Sequence, residues 1–344
     1  MLSSIHIEGF KGFKDTRIEP IRKVNLILGG QNVGKTSLLE AVYLGASDVG
    51  AFQNIATVFR MSEGNDSRRY AKAVWEKKKS KLVLANDTGY SLAVRVNYQR
   101  DSEDGFFSLD AFGSGDVRAS RVISGADITD SVAQVALSKR GNGTPWHLPT
   151  DALLKMVFLN PLAVSIHLPQ QVEAVRLFDR VVMIRKKRLL LDMLKRIEPR
   201  LEDMHSLSPD GEQRIYVELV GEDEALPLPL LGHGFSRLVH LYCSLLVTES
   251  KLALIDEVEN GIHYSSLPTL FQGIQDIAAN NDVQTLMTTH SWECIRAAYN
   301  TFAAAGKLED FQLIRLERDA DNVKAIVIND EQLVTVMEAG YEIR

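Results

Sequence analysis

The stretch VNLILGGQNVGKTSLLEAVYLGA, Val24 to Ala46, constrains this chain more than any other part of it. A short, apolar, partly branched run, Val24 to Leu28, breaks into glycines, then closes on Lys35, Thr36 and a leucine-patterned segment. A run of that length suits a buried parallel strand, and Ser37 to Ala46 has helical spacing. Gly29, Gly30 and Gly34 let the backbone bend tightly and aim its N–H groups inward at an anion. Lys35 can set a point charge on outer phosphates, and Thr36 can offer its hydroxyl to Mg2+. The positive N-terminal end of the helix faces the same phosphates. A glycine turn with an incidental lysine is the bland reading. Strand, loop and helix in this order point instead to a nucleoside triphosphate site.

The chain around this motif has 344 residues, enough for one large domain or two lobes. Hydrophobic content of 45% and charged content of 24% are those of a soluble globular protein. No apolar run approaches the ~20 residues of a membrane helix, and the alternating N-terminus MLSSIHIEGFKGF lacks the apolar core of a signal peptide. Cys243 and Cys294 sit in apolar helical patterns and read as core thiols of a cytoplasmic protein. The net charge of −6 excludes a generally sticky nucleic-acid binder, so any DNA or RNA contact must come from local basic patches. KKKSK at Lys77 to Lys81 reads as a solvated strand entry, and RKKRLLLDMLKR from Arg185 to Arg196 as an amphipathic helix or a nucleic-acid contact.

Along the chain, the pattern divides into four stretches. Residues 1–60 hold two or three strands and the glycine loop; 61–155 hold antiparallel strands (KLVLAND, YSLAVRVNYQ, GFFSLDAF) and a loop-rich segment from 113 to 150. Residues 156–212 open with a buried strand, MVFLNP, and continue with helical spacing from Gln170 to Met204, broken at Pro199; this segment reads as one helix or a hairpin forming a lid. Residues 213–344 alternate strand and helix: RIYVELV, helix Phe235 to Glu249, KLALID, helix Ser265 to Ala279, VQTLMTT, helix Ser291 to Ala305 and two closing strands. That order predicts a mostly parallel sheet with helices packed on it, joining the glycine-loop half to the C-terminal half in one α/β sheet.

The C-terminal half carries the complement of the phosphate loop. LALIDE places Asp256 and Glu257 at the end of a buried strand, where open α/β sheets bind ligands. Asp256 can hold Mg2+, and Glu257 can orient or deprotonate an attacking water. VQTLMTTHSWE ends another strand in His290, which could touch the γ-phosphate, although a strand-end histidine alone is more often structural. In LPLLGHGFSRLVHLY, Gly232 and Gly234 precede a helix, a second anion-binding geometry. With one phosphate loop already present, that second helix end either serves another chain's nucleotide or is a plain glycine-bounded start.

Together these motifs resemble the ABC-type ATPase heads of the SMC, RecF and OLD branch, most closely the small bacterial AAA family ATPases of that branch without a nuclease domain. IEGFKGFKDTRIEP resembles their opening strands, IDEVENGIHYSSLP their Walker B and D-loop, TTHSWE their switch histidine, and MEAGYEIR their tail. The resemblance covers roughly 1–50 and 155–344 and implies a P-loop NTPase with an antiparallel β subdomain and a helical insert. It implies ATP held by Gly29, Gln31, Asn32, Val33, Gly34, Lys35, Thr36 and Ser37, Mg2+ on Thr36 and Asp256, and catalysis by Glu257 and His290. Gly232, His233, Gly234 and Arg237 align with the signature loop that closes over a second protomer's ATP. Gly232 stands where the signature serine would be, removing a hydroxyl. Gln53 is a weak candidate for the Q-loop.

The implied assembly is a homodimer or higher oligomer with two ATP molecules sandwiched between protomers. The implied role is a sensor ATPase controlling a separate nuclease or toxin effector in anti-phage defence. A RecF-like ATPase acting directly on DNA is the competing reading, resting on the 185–196 segment. A membrane transporter subunit is disfavoured because the signature is not LSGGQ.

Overall fold

Strand runs that are apolar without alternation need cover on both faces, and this chain supplies it. The computed structural model describes residues 1–46, 79–86, 91–99, 106–113, 118–124, 156–159, 168–247 and 251–339. β3 (Val24–Gly29) lies inside a six-stranded sheet of order β15-β14-β3-β13-β12-β8. Its partners are β8 (Met156–Leu159), β12 (Leu252–Ile255), β13 (Gln284–Thr288), β14 (Phe311–Asp319) and β15 (Asn322–Ile328). All neighbours run parallel except β15, which turns back antiparallel along β14. The expected single sheet therefore forms, with the phosphate-loop strand at its centre.

Alternate residues of that sheet feed two cores. Val24, Leu26, Leu28, Ala253, Ile255, Met287, Phe311 and Leu313 face a helical layer. This layer consists of α2 (Leu168–Met183), α3 (Lys187–Leu194), α4 (His233–Val247), α5 (Leu267–Asn281) and α6 (Trp292–Ala304). Ile27, Leu252, Leu254, Leu286, Ile314 and Leu316 face the other way. There they meet α1 (Lys35–Ala46) and a second six-stranded sheet, β2-β1-β4-β5-β6-β7, antiparallel throughout. Its strands are β1 (Leu2–Phe10), β2 (Phe13–Ile18), β4 (Lys79–Asn86), β5 (Ser91–Gln99), β6 (Phe106–Gly113) and β7 (Arg118–Ser124). The antiparallel sheet thus draws strands from both of the first two stretches distinguished above. A final helix, α7 (Asp330–Glu338), follows β15.

Three expectations change. The helical spacing assigned from Gln170 to Met204 holds only as the pair α2 and α3; beyond Pro199, β9 (Leu201–Leu207) is a strand. It pairs with β10 (Arg214–Leu219), setting buried Met204 opposite Val217 and buried Leu201 opposite Leu219, a cross-strand packing that a continued helix could not reach. RIYVELV, which is β10, accordingly lies in a separate three-stranded antiparallel sheet with β9 and β11 (Leu226–Pro227), outside the parallel sheet. Within the segment expected to be loop-rich, Arg118–Ser124 forms β7, while Gln53 and residues 125–155 lie outside the described residues.

In the basic stretch 185–196, Lys186, Lys187 and Arg196 are engaged by other parts of the chain, while Arg185, Arg188 and Lys195 are exposed. Lys186 donates to the Leu246 carbonyl and Asn281 Oδ1 at 3.1 Å each, Lys187 pairs with Asp203 at 2.7 Å, and Arg196 with Asp276 at 2.7 Å. Lys81 similarly pairs with Glu8 at 2.8 Å. Both cysteines are buried and unbridged, and burial pushes each thiol well above its ordinary pKa. No helix among the described residues is long and apolar enough to cross a membrane.

Buried amides sew the layers together at the starts of the central strands. Gln284 Oε1 accepts from the Leu2 N–H at 2.9 Å, and its amide donates to the Leu2 and Arg22 carbonyls at 2.8 Å each. The Asn25 amide donates to the Arg22 and Thr285 carbonyls, and its Oδ1 accepts from Gln312 at 2.9 Å. Gln284→Ala takes from the Leu2 N–H and carbonyl their side-chain partner and leaves the Arg22 carbonyl with the Asn25 amide alone. It should lower unfolding stability by about 2–3 kcal/mol in urea titration; an unchanged midpoint would show that these bonds do not hold the first strand in place.

Candidate nucleotide site

The phosphate loop owes its shape to crowding that only glycine tolerates. Gly29 sits at φ +149°, and a Cβ there would meet the Leu316 carbonyl oxygen at 2.5 Å and Val33 at 2.9 Å. Gly34, at φ +115°, packs under the Phe13 ring, 3.3 Å from where a Cβ would stand. Gly30 has open space instead. Asn32 adds a left-handed residue at φ 57°, and the loop closes with Lys35 Nζ donating to the Gly29 and Gly30 carbonyls at 2.8 and 3.0 Å. Partial burial pulls the Lys35 pKa below its ordinary value, and the carboxylates of Asp256, Glu259 and Glu257 oppose that shift.

Parallel pairing of β12 with β13, and of β13 with β3, brings three strand ends to one point. Asp256, only 1% exposed, follows β12 directly. Thr36 Oγ1 donates to its Oδ2 at 2.9 Å, and Thr288 Oγ1 to its Oδ1 at 2.5 Å. The same Thr288 oxygen accepts the Glu257 N–H at 2.8 Å. Glu257 takes a left-handed backbone, φ 49°, unusual for a residue with a side chain. Its carbonyl is held by the Asn260 N–H at 2.9 Å and by Arg237 Nη2 at 3.0 Å. Glu257 and His290 then line a cleft of about 680 Å3 with Gln31, Asn32, Val33, Gly34, Lys35, Thr36 and Ser37.

Every phosphate-side residue expected from sequence converges here, with Gly29 supporting the loop from beneath and Asp256 beneath Thr36. The Thr36 hydroxyl and Asp256 carboxylate, buried beside one another, form the hard all-oxygen pair that suits Mg2+. The signature residues lie elsewhere. Gly232 (φ +92°, open space around a Cβ) and His233 are exposed at the start of α4. Gly234 borders a separate cavity of about 530 Å3 with Leu230, Phe235, Gly261 and His263. A Cβ at Gly234 would stand 2.9 Å from the Gly261 carbonyl, so this glycine permits close packing within the chain itself. Arg237 is turned inward onto Glu257, and burial lowers its pKa against the opposing pull of Glu259, Glu257 and Asp256.

Two residues escaped the sequence reading. Thr288 is one more β-branched residue of an apolar strand until strand register sets it beside Asp256. Glu259 looks like a solvated loop acid, yet it is 8% exposed, and its Oε1 accepts the His290 N–H at 3.0 Å and lies 3.2 Å from His290 Nδ1. The only sequence signal for either was its nearness to the Asp-Glu pair or to His290.

Fold and site define a P-loop ATPase of the ABC and SMC-head type. Residues 24–295 match the family described as "AAA domain, putative AbiEii toxin, Type IV TA system", and the chain belongs to that family. An ATP/GTP phosphatase of Helicobacter pylori is 22% identical over 379 aligned positions, spanning 97% of this chain and all of that protein. Among solved structures, the SMC head domain of Thermotoga maritima superposes with a TM-score of 0.52 at 14% identity, over 96% of this chain and 99% of that one. The SMC head from Pyrococcus furiosus bound to the C-terminal domain of ScpA gives 0.57 at 10% identity, over 98% of each chain. At those identities the structural likeness speaks for the fold.

The two adjacent glycines separate cleanly by geometry. Gly29→Ala, with its Cβ driven into the Leu316 carbonyl, should weaken binding of a fluorescent ATP analogue at least ~10-fold, because the loop N–H groups lose their aim. Gly30→Ala should leave affinity within about 2-fold, since nothing crowds that position. Equal effects of the two changes would show that the loop is not held by this contact.

Proposed function

We propose that this chain is a Mg2+-dependent ATP hydrolase whose heads pair around two nucleotides and whose nucleotide state governs a separate effector protein. The observation that carries the hydrolase reading is the convergence of Lys35, Thr36, Asp256, Glu257 and His290 on a single cleft. Lys35 and the loop N–H groups would bind and orient the β- and γ-phosphates. Thr36 and Asp256 would hold Mg2+, which when bound neutralises phosphate charge. Glu257, fixed at both its N–H and its carbonyl, would accept a proton from the attacking water. His290, which lines the same cleft, would meet the γ-phosphate.

Pairing of heads draws support from the surface around α4. Leu230 and Tyr264 are 71% and 68% exposed and flank the second helix N-terminus at Gly232 and His233. Large apolar side chains standing beside a glycine-bounded helix end suit a contact that closes over another protomer's nucleotide. Control of an effector is supported by the family description, which names a toxin of a toxin–antitoxin system, and by the SMC-head relative solved with a protein partner. Action in anti-phage defence in the cytoplasm is consistent with both. Direct action on DNA draws less support, because Lys186, Lys187 and Arg196 are engaged within the chain, which leaves Arg185, Arg188 and Lys195 as the exposed cations of that stretch.

Lys35→Ala should abolish ATP binding or hydrolysis. Glu257→Gln should keep binding while cutting hydrolysis by at least ~100-fold, the scale of a lost general base, in a Mg2+-dependent phosphate-release assay. Hydrolysis at the wild-type rate in Glu257→Gln would place the base elsewhere. Leu230→Asp adds charge at an exposed site without touching the cleft. It should leave ATP affinity unchanged yet eliminate the ATP-dependent doubling of mass in light scattering, with hydrolysis falling at least ~10-fold. Wild-type hydrolysis by Leu230→Asp monomers would refute the sandwich.

A further inference from the structure

Glu259 is the buried acid that the proposed chemistry leaves without a task. Its side chain is 9% exposed, although its neighbour Asn260 is exposed. Burying a carboxylate is costly unless its oxygens are occupied. Oε1 is doubly engaged by His290, through the backbone N–H at 3.0 Å and Nδ1 at 3.2 Å. Oε2 is buried and has no hydrogen-bond partner among the described residues. The His290 ring, by contrast, is 65% exposed and borders the nucleotide cleft. A buried acid thus holds the inner edge of a ring whose outer edge faces the cleft.

We propose that Glu259 is a positioning residue for His290: by accepting a proton-bearing Nδ1 it fixes the ring's plane and tautomer, so that Nε2 is the nitrogen offered to the bound nucleotide. A carboxylate oxygen can only accept, so a hydrogen bond formed across this 3.2 Å approach would carry its proton on Nδ1. The tautomer of a histidine is set by whatever its other nitrogen binds, and this pairing resembles the way a carboxylate steadies a metal-bound imidazole. The Glu259 Oε1 contact to the His290 N–H adds a second anchor, so ring and backbone are referred to one oxygen. Without it, the exposed ring could rotate and present either nitrogen. This inference rests on His290 meeting the nucleotide, as proposed above.

The test is 15N NMR of histidine-labelled protein at pH 8, with the His290 signal identified among the eight histidines by its loss in His290→Gln. Wild-type protein should carry its His290 proton on Nδ1. Glu259→Gln keeps an accepting oxygen and should preserve that tautomer, with kcat within about 3-fold. Glu259→Ala should show averaged tautomers and a kcat lower by ~10- to 100-fold, the range seen when a histidine's orienting partner is removed, with KM within about 3-fold. A wild-type proton on Nε2 alone would overturn the proposal, and this measurement stands even if Glu259→Ala fails to fold. So would wild-type kcat in a folded Glu259→Ala. If instead His290→Ala hydrolyses ATP at the wild-type rate, the assignment of His290 to the nucleotide is what fails, whatever the tautomer.

Discussion

The carboxylate of Asp256 is the group on which the rest of the site depends. It is almost fully enclosed at the end of an apolar strand, where an unpaired charge would cost several kcal/mol. Thr36 from the phosphate-loop helix and Thr288 from the adjacent strand each donate a hydroxyl to it, and the Lys35 cation stands close enough to feel its charge. Those bonds tie α1, β12 and β13 together at the single point where their ends meet. Removing the charge would therefore disturb the geometry of the loop as well as any metal held there. The pairing also explains why Lys35, though pulled down by partial burial, is surrounded by the acids that offset that pull.

What the sequence made legible, and what it did not, follows from whether the cause is local. Gly29, Gly34, Lys35 and Thr36 belong to one loop made by consecutive backbone turns, so spacing alone is enough to expect that loop. The parallel sheet was readable because strands covered on both faces are apolar without alternation, as Leu252 to Ile255 are. The first residues of the strand Leu201–Leu207 fit a helical pattern that runs to Met204, because Leu201 and Met204 have a spacing of three, which fits a helix turn. Their burial is explained only by pairing with a strand still to come. Thr288 and Glu259 were invisible for the same reason, since strand register and a turn of chain bring each to its partner from more than thirty residues away.

The glycines before α4 show the limit of reading a motif by likeness. Gly232 and Gly234 were grouped as one anion-binding loop, yet their environments differ. Gly232 has the left-handed backbone and open space of a residue free to face outward, whereas Gly234 lets the helix press against the Gly261 carbonyl. A substitution at Gly234 would thus report on packing within the chain before it reported on any neighbouring molecule. The exposed residues beside them, Leu230 and Tyr264, are the cleaner reporters of contact between chains.

Arg237 joins the two halves of this arrangement. It leaves α4 three residues after Gly234, and its guanidinium ends on the carbonyl of Glu257, the residue whose left-handed backbone is the least comfortable in the cleft. Such a conformation persists only where its surroundings hold it, at a cost of order 1–2 kcal/mol. Thr288 holds the N–H side of Glu257; Arg237 and Asn260 hold the carbonyl side. One of those three restraints comes from the helix whose N-terminus we propose meets the second protomer. A shift of α4 along its axis would act directly on the Arg237 bond, and through it on the orientation of Glu257. In the head pairing proposed above, contact between heads and the setting of Glu257 would be linked through the half-buried Arg237, with no need for movement in the phosphate loop.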